Sequence, residues 1–341
     1  MLGARRKVVD TRARPLRDLR ISVTDRCNFR CVYCMPKAMF GSDHAFLDRK
    51  YLLTFEEIDR VARAFVANGV KKLRLTGGEP LVRREIEKLI AGLASIAGVE
   101  DLSLTTNGSL LSVERARQLR NAGLRRVTIS LDALDNRLFE AINDVKFSVA
   151  RVLEAIDNAQ RAGLDPVKVN MVVVRGVNEH EILPMAKRFR HSGVILRFIE
   201  YMDVGTTNGW NLEQVVSAAE IIDTIRAEFP VAPIAPRYRG EVAARWRYTD
   251  GAGEIGVISS VTQPFCGTCS RARISAEGQV YTCLFSSDGH DLRALVRSGA
   301  SDEELEQTIA RIWQRRDDRY SEIRSEDTRE LPKIEMSYIG G

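Results

Sequence analysis

The chain has 341 residues, of which 44% are hydrophobic and 28% charged, a composition that is typical of a folded globular protein and excludes disordered, collagen-like and coiled-coil chains. Its length exceeds what one compact core usually occupies, so we expect one large domain with a smaller one appended. No apolar stretch is long enough to cross a membrane, and the N-terminus lacks the apolar run of a signal peptide, so we expect a cytoplasmic protein with no membrane partner.

The net charge of +5 is concentrated at the N-terminus. Residues 1–20 carry seven basic and two acidic side chains, and the rest of the chain carries equal numbers of each. Such a distribution gives no evidence of a basic face for nucleic acid. We therefore predict a basic N-terminal arm over residues 1–17 and no nucleic-acid partner.

After the arm, β-rich runs alternate with helical patterns. The runs predict strands at 19–23, 72–75, 101–105, 126–131, 167–174 and 194–199. Capping residues and terminal glycines predict helices at 54–68, 84–94, 112–121, 148–162 and 180–191. This alternation builds a parallel sheet, and six units are fewer than the eight of a complete barrel. The predicted fold class is therefore α/β, an incomplete (βα)6 TIM-like barrel over residues 18–235.

Beyond about residue 205 the alternation stops. One more helix is predicted at 218–228, followed by short β-like segments at 243–248 and 254–259, a hairpin within 274–283 and a last helix from Ser301 to about Arg316. We place a smaller C-terminal domain at residues 236–341.

Six cysteines are too sparse for a disulfide-stabilised fold, but their spacing is informative. They form two triplets, Cys27, Cys31 and Cys34 directly after the first strand, and Cys266, Cys269 and Cys283 in the C-terminal domain. Soft sulfur ligands select zinc or an iron–sulfur cluster. Three ligands leave a zinc site one short, so zinc would need a distant histidine, His44 for the first triplet or His290 for the second. Incidental thiols and zinc both remain open as alternatives to a cluster.

Longer motifs narrow the choice. The first triplet, with the aromatic Tyr33 before its last cysteine, resembles the signature of radical S-adenosylmethionine (SAM) enzymes. Stretches at 20–36, 75–83, 105–108, 197–202 and 265–273 are similar to the GTP 3',8-cyclases of molybdenum cofactor biosynthesis, as are residues 283–285 and the terminal pair Gly340 and Gly341. The resemblance extends over nearly the whole chain.

The resemblance implies an activity and its cofactors. Each triplet would hold a 4Fe–4S cluster with one iron open to a small molecule, SAM at the first and the guanine of GTP at the second. A 5'-deoxyadenosyl radical would abstract the ribose C3' hydrogen, and the product would be (8S)-3',8-cyclo-7,8-dihydroguanosine 5'-triphosphate. This is the first step of molybdenum cofactor biosynthesis, and the enzyme class is a lyase.

The resemblance also implies site residues. The positions that match SAM contacts are Tyr33, Gly78, Ser130 and Met202. Those that match GTP contacts are Arg20, Arg74, Thr105, Lys168, Arg271, Ala272 and Arg273, with Arg20, Arg271 and Arg273 also implied in catalysis. The chain has no Gly-x4-Gly-Lys-Ser/Thr phosphate loop, so arginines and lysines must hold a triphosphate, and Lys72 and Arg197 are plausible additions. Taken singly, Met202 is typical of core packing and each cation of a solvated surface charge.

Partners follow from the same resemblance. It implies a reducing electron donor such as flavodoxin or ferredoxin, the next pathway enzyme (cyclic pyranopterin monophosphate synthase), a homodimer, and a diglycine end that reaches into the active site. A radical SAM enzyme that modifies a peptide is an alternative, although its auxiliary clusters usually need more than three cysteines. A zinc-stabilised nucleic-acid-binding protein is an alternative from a different class.

Overall fold

A computed structural model of the chain describes residues 8–324 and 333–340. Within these ranges one twelve-stranded sheet has the strand order β12-β11-β10-β1-β2-β3-β4-β5-β6-β9-β8-β7. The strands are β1 Asp18–Ser22, β2 Lys72–Thr76, β3 Asp101–Thr106, β4 Arg126–Ser130, β5 Lys168–Val173, β6 Ile195–Glu200, β7 Val231–Ile234, β8 Ala244–Tyr248, β9 Glu254–Ile258, β10 Arg271–Ile274, β11 Gln279–Tyr281 and β12 His290–Asp291.

Helices connect the strands and cover the outside of the sheet. They are α1 Phe55–Ala67, α2 Ile86–Ala94, α3 Val113–Asn121, α4 Asn136–Asn143, α5 Val149–Arg161, α6 Ile182–Phe189, α7 Ala218–Arg226, α8 Leu292–Arg297, α9 Asp302–Gln314 and α10 Met336–Ile339. Among the described residues, no helix combines the length and the apolar character that a bilayer crossing requires.

The six strands β1 to β6 are parallel neighbours in chain order, which confirms the predicted α/β class and the incomplete barrel. Local signals explain where helices begin. Thr54 and Glu57 form a reciprocal capping box at the start of α1, and Ser301 and Glu304 form another at α9. Helix α4 is absent from the sequence predictions, although Asp135 caps it by accepting from the Leu138 amide.

The C-terminal segment extends this sheet at both edges. Strand β10 runs parallel to β1, and β9 runs parallel to β6. Two antiparallel ribbons continue outwards from them, β10–β11–β12 on one side and β9–β8–β7 on the other. The boundary placed at residue 235 falls between β7 and β8, which pair with each other, and the division into domains stays a prediction.

The N-terminal arm is part of the folded core where the structure describes it, from Val8 onwards. Arg14 is only 1% exposed, and its Nε donates to Asp10 at 2.6 Å. The same Asp10 oxygen accepts from Arg316 at 3.1 Å. A buried carboxylate between two guanidiniums fixes the arm to the end of α9, because removing any member would leave an uncompensated buried charge. Residues 1–7 of the predicted arm lie outside the described residues.

Candidate active site

One cavity of about 340 Å³ contains side chains from both cysteine triplets and from the parallel strands. It is lined by these predicted site residues: Cys27, Cys31, Cys34, Cys266, Cys269, Cys283, Tyr33, Gly78, Ser130, Met202, Arg20, Arg74, Thr105, Lys168, Arg271 and Arg273. Ala272 is 1% exposed within β10 and is not among the lining residues. The structure therefore brings together residues that are far apart in the sequence.

The loop that carries the first triplet lies tightly against the end of β2. The amides of Gly78 and Glu79 donate to the carbonyls of Thr24 and Arg26, both at 2.8 Å. A Cβ added to Gly77 would lie 2.5 Å from the Thr24 carbonyl, and one added to Gly78 would lie 2.3 Å from that of Arg26. The glycine pair is thus required by the close approach of two backbone segments, which positions the cysteine loop.

Glu79 joins the ends of two neighbouring strands under this loop. Its Oε1 accepts from the Leu81 amide at 3.0 Å and from the Thr106 hydroxyl at 2.7 Å, and its Oε2 accepts from the Asn107 amide at 2.7 Å. Burial raises the pKa of Glu79 to about 7. The carboxylate lines the cavity, so it can bind a ligand cation as well as hold the strand ends together.

A second carboxylate at this end of the cavity was missed by the sequence predictions. Asp132 follows β4 by two residues, and its Oδ2 accepts from the Tyr33 hydroxyl at 2.6 Å. Its Oδ1 accepts from the Val172 amide at 2.8 Å. Burial raises the pKa of Asp132 to about 6. The available signal was its place just beyond the carboxyl end of a parallel strand, where such sheets bind their ligands.

Strand register places three arginines side by side. Arg20 in β1 lies opposite Arg74 in β2 and opposite Arg273 in β10. Burial, and then the charges of Arg273, Arg74 and Arg271, lower the pKa of Arg20 well below its usual value. Burial and Arg126 lower the pKa of Arg74 to about 10. These guanidiniums repel one another, and an anion bound among them would relieve that repulsion.

A second group of cations comes from β4, β5 and β6. Burial, with the charges of Arg197, Arg126 and Arg74, lowers the pKa of Lys168 to about 6. Arg126 is paired with Asp101, its Nε donating at 2.9 Å. It was not among the predicted residues, and a single arginine at a strand start gives no signal by itself.

Several polar atoms in the cavity wall have no hydrogen-bond partner among the described residues. They are Thr76 Oγ1, Thr105 Oγ1, Arg126 Nη1, Asn170 Oδ1 and Arg197 Nε. Buried polar groups are costly unless they are paired. Together with the mutually repelling cations, these atoms fit a polyanionic ligand with hydrogen-bonding groups.

The second triplet lies against arginines. The Arg271 guanidinium donates to Cys269 Sγ at 3.5 Å. Although burial raises the pKa of Cys269, the charges of Arg271 and Arg316 lower it to about 6. Burial and Asp318 raise the pKa of Cys283 to about 12. A site rich in both thiols and arginines fits a metal centre whose thiolate ligands give it negative charge.

Neither of the two histidines that could complete a zinc site lines the cavity with the cysteine triplets. Among residues 8–324 and 333–340, no three His, Cys, Asp or Glu side chains converge on a single-ion position. His44 is exposed beside Phe40 and Phe46, and His290 is exposed in β12, so neither lines the cavity as a fourth ligand. A 4Fe–4S cluster bonds each cysteine to a different iron, so its ligands need no single meeting point.

The described part of the C-terminal tail also reaches the cavity wall. The Arg273 Nη1 donates to the Gly340 carbonyl at 2.9 Å. A Cβ on Gly340 would lie 1.7 Å from Thr76 Oγ1, and its φ of +73° is in the left-handed region, so only glycine fits there. Gly341, the other half of the predicted diglycine end, lies outside the described residues.

Comparisons with known proteins agree with this geometry. Residues 21–189 match the radical SAM superfamily, and residues 194–322 match Molybdenum Cofactor Synthesis C. A protein from Acidothermus cellulolyticus named GTP 3',8-cyclase is 54% identical over 97% of this chain and 98% of its own length. The chain belongs to the GTP 3',8-cyclase family of radical SAM proteins. A GTP 3',8-cyclase from Staphylococcus carnosus is 50% identical over 98% of this chain and 99% of its own.

A solved structure supports the fold. Streptococcus suis SuiB bound to S-adenosylmethionine has a TM-score of 0.61 at 14% identity, covering 87% of this chain and 68% of that one. The radical SAM family binds SAM and a 4Fe–4S cluster. The resemblance drawn from the sequence is confirmed.

Proposed function

We propose that the chain is a GTP 3',8-cyclase that converts GTP to (8S)-3',8-cyclo-7,8-dihydroguanosine 5'-triphosphate in molybdenum cofactor biosynthesis. The observation that carries this proposal is one cavity lined by two cysteine triplets and by closely spaced, buried cations. A peptide substrate would not require so many uncompensated cations, whereas a nucleoside triphosphate does. The identity to curated cyclases over nearly the full length supports the same substrate.

The chain's residues bind and orient two small molecules. Tyr33, Gly78, Ser130 and Met202 line the SAM end, where Glu79 supplies a carboxylate for the ligand's ammonium group. When bound, SAM and the first cluster supply a 5'-deoxyadenosyl radical that takes the ribose C3' hydrogen; C3' then bonds guanine C8, and one further electron and a proton complete the product. The protein's part is to hold the two reactants in register and to exclude other hydrogen donors.

The cations divide between triphosphate and guanine. Arg74, Lys168 and Arg197 hold the triphosphate, because they line the cavity and lack a bound anion to offset their neighbouring positive charges. Thr105 adds a hydroxyl and Lys72 a further ammonium from the same cavity. Arg20, Arg271 and Arg273 bind GTP at the end nearer the second triplet, and from there they also assist the last reduction and protonation. Ala272, buried between the last two, contributes only its main chain.

A second 4Fe–4S cluster at Cys266, Cys269 and Cys283 is part of the proposal. Its support is the donor set, three thiols that line the same cavity with arginines beside them. These three thiolates would hold the cluster, and the cluster would supply a binding point for the guanine. The remaining partners come from the family alone: a reducing donor such as flavodoxin or ferredoxin, transfer of the product to cyclic pyranopterin monophosphate synthase, and a homodimer.

Anaerobic purification and iron counting test this function. We expect about eight irons per chain, with deoxyadenosine and the cyclised nucleotide formed only when both SAM and GTP are present. A variant with Cys266, Cys269 and Cys283 changed to alanine is the matched control, and it should keep about four irons and bind SAM. Stoichiometric zinc without iron, or deoxyadenosine formation indifferent to GTP, would contradict the proposal.

A further inference from the structure

The loop that follows β6 holds the C-terminal tail through a buried aspartate. Asp203 is 2% exposed, and its Oδ2 accepts from Lys333 Nζ at 2.9 Å and from the Tyr320 hydroxyl at 2.6 Å. The same ammonium donates to the Asp203 carbonyl at 3.2 Å. The Lys333 side chain is 2% exposed, so this ion pair is removed from water at both ends. Removing Asp203 would leave the buried Lys333 ammonium without a counter-charge, and removing Lys333 would take away one of the two cations that balance Asp203.

The same loop also binds the tail at Glu335, two residues after Lys333. Glu335 accepts from the Thr206 amide at 2.8 Å and the Thr206 hydroxyl at 3.0 Å, while its other oxygen accepts from the Thr207 hydroxyl at 2.9 Å. Gly205 has a φ of +75°, and a Cβ there would lie 2.2 Å from the Glu335 carboxylate. The loop backbone is therefore shaped to receive this glutamate.

Asp203 is also connected to the SAM end of the cavity. Its Oδ1 accepts from Arg324 Nε at 3.0 Å, and Arg324 Nη1 donates to the Ser260 carbonyl at 2.8 Å. The Ser260 hydroxyl donates to the sulfur of Met202 at 2.6 Å. Met202 lines the cavity and directly precedes Asp203 in the chain. The Asp203 carboxylate thus binds Lys333 of the tail and is linked, through Arg324 and Ser260, to Met202, which is a proposed SAM contact.

A third connection leads to the second triplet. The Tyr320 hydroxyl donates to Asp203, and the Tyr320 ring stacks on Phe285 with centroids 4.4 Å apart and an interplanar angle of 18°. Phe285 lies two residues beyond Cys283 and lines the cavity. At its far end the tail returns to the same region, where Arg273 binds the Gly340 carbonyl. A shift of Asp203 would therefore displace side chains that line both ends of the cavity.

We propose that Asp203 is a positioning residue that, through Lys333, seats the C-terminal tail in the cavity and keeps Met202 and the second triplet in register with it. The anchoring stands on the contacts above, whereas its effect on turnover rests on the proposed cyclase function. A purely structural Asp203 would only stabilise the fold, and its loss would loosen distant elements as much as the tail.

Hydrogen exchange on the full chain separates the two roles. The amides of Tyr338 and Gly340 are bonded to Glu335 and Met336, which makes them reporters of a seated tail. In Lys333→Met and in Asp203→Asn we expect exchange over 336–340 to accelerate about tenfold or more, because the buried pair has lost one charge.

Asp223→Asn, which removes an exposed carboxylate paired with Arg226, is the control and should change nothing in the tail. Unchanged tail exchange in both variants, or equal acceleration in α1, would overturn the proposal.

Product counting adds a readout that stability alone would not move. Lys333→Met should raise the deoxyadenosine formed per cyclised nucleotide at least about threefold, because a misplaced tail lets the radical be quenched without product. Lys333→Arg keeps the charge and should bring the ratio back towards that of the unmodified chain. A ratio that stays at the unmodified value in Lys333→Met contradicts the coupling. If the unmodified chain forms no product, the cyclase function fails, and the exchange experiment still decides whether Asp203 anchors the tail.

Discussion

The first cysteine triplet lies beside carboxylates, whereas the second lies beside arginines, and both line one cavity. At the first triplet, burial and the charge of Glu79 raise the pKa of Cys27 to about 11. At the second, burial acts in the same direction, but Arg271 and Arg316 reverse it and lower the pKa of Cys269 to about 6. Two triplets of the same residue type therefore form two chemically different sites.

The difference corresponds to the charges of the two proposed ligands. SAM carries an ammonium and a sulfonium group, and Glu79 and Asp132 supply negative charge at its end of the cavity. GTP carries several negative charges, and the arginines and Lys168 supply the opposite sign. Opposite charges within a few ångströms favour binding most strongly where water is excluded. The cavity can thus sort two polar ligands by charge, and the predictions below test that sorting.

The largest expected effect is on GTP binding. Changing both Arg271 and Arg273 to alanine removes two charged donors, and we expect the GTP dissociation constant to rise about 100-fold or more. GTP-dependent turnover should be lost while SAM binding to the first cluster is kept. Anaerobic equilibrium dialysis measures the affinity for GTP and the affinity for SAM.

Arg63 and Arg226 are exposed on helices α1 and α7, and their double alanine variant is a control that removes the same charge without changing the cavity. Undiminished GTP affinity in Arg271→Ala/Arg273→Ala would show that the cationic end is placed wrongly.

Glu79→Gln should act at the opposite end. The amide removes the charge and replaces one of the two oxygens that accept from Leu81, Thr106 and Asn107, so we expect SAM affinity to fall about tenfold, with GTP affinity unchanged. In the unmodified chain the free carboxyl has a pKa of about 7, and the SAM ammonium favours its charged form. The complex then binds fewer protons than the free protein, so SAM affinity rises as the pH increases towards 7. Isothermal titration at several pH values measures this slope, which should be absent in Glu79→Gln; a slope that persists there assigns it to another group.

Lys168 should make GTP affinity depend on pH. This dependence should be smaller than the effects above, and opposite in direction to that of SAM affinity. Burial and its cationic neighbours hold its pKa at about 6, so the free protein carries it mostly neutral at pH 7.5. Bound phosphate favours the ammonium and raises this pKa again, so the complex takes up close to one proton. GTP affinity should therefore fall as the pH increases from 6 to 8. Calorimetry in buffers of different ionisation enthalpy counts the proton, and Lys168→Met should abolish the uptake; uptake that survives in that variant would assign it elsewhere.

The local parts of the fold could be predicted from the sequence, because strand periodicity and capping residues act over a few positions. Thr54 and Ser301 mark helix starts that the structure confirms. The pairing of β10 with β1 could not be predicted, since no local signal states which distant strand lies beside which. That pairing is what places Arg273 next to Arg20.

The same limit applies to the site. Motifs identified the cysteines, and all of the SAM and GTP positions that the resemblance implied, except Ala272, line the cavity. Asp132 and Asp203 were missed because their partners, Tyr33 and Lys333, are distant in the chain. An isolated aspartate in a loop has the same local signature whether it is solvated or buried in an ion pair. Only the fold shows which of the two applies.

Tyr33→Phe is the finest test of the charge sorting. It removes only the hydroxyl that donates to Asp132 Oδ2, and it leaves the Val172 amide as the remaining donor to that carboxylate. Burial sets the pKa of Asp132 at about 6 and the Tyr33 hydrogen bond lowers it, so the variant's pKa should be higher and the carboxylate less charged near pH 6. We expect a loss of about 1–2 kcal/mol in the free energy of unfolding, and a decrease in SAM affinity of only a few-fold.

Tyr248→Phe removes a buried hydroxyl that has no partner within the described residues, so this control should leave the free energy of unfolding nearly unchanged. Urea unfolding and ligand dialysis measure these quantities. A fall in GTP affinity equal to that of SAM would mean that the two ends of the cavity are not separate in charge.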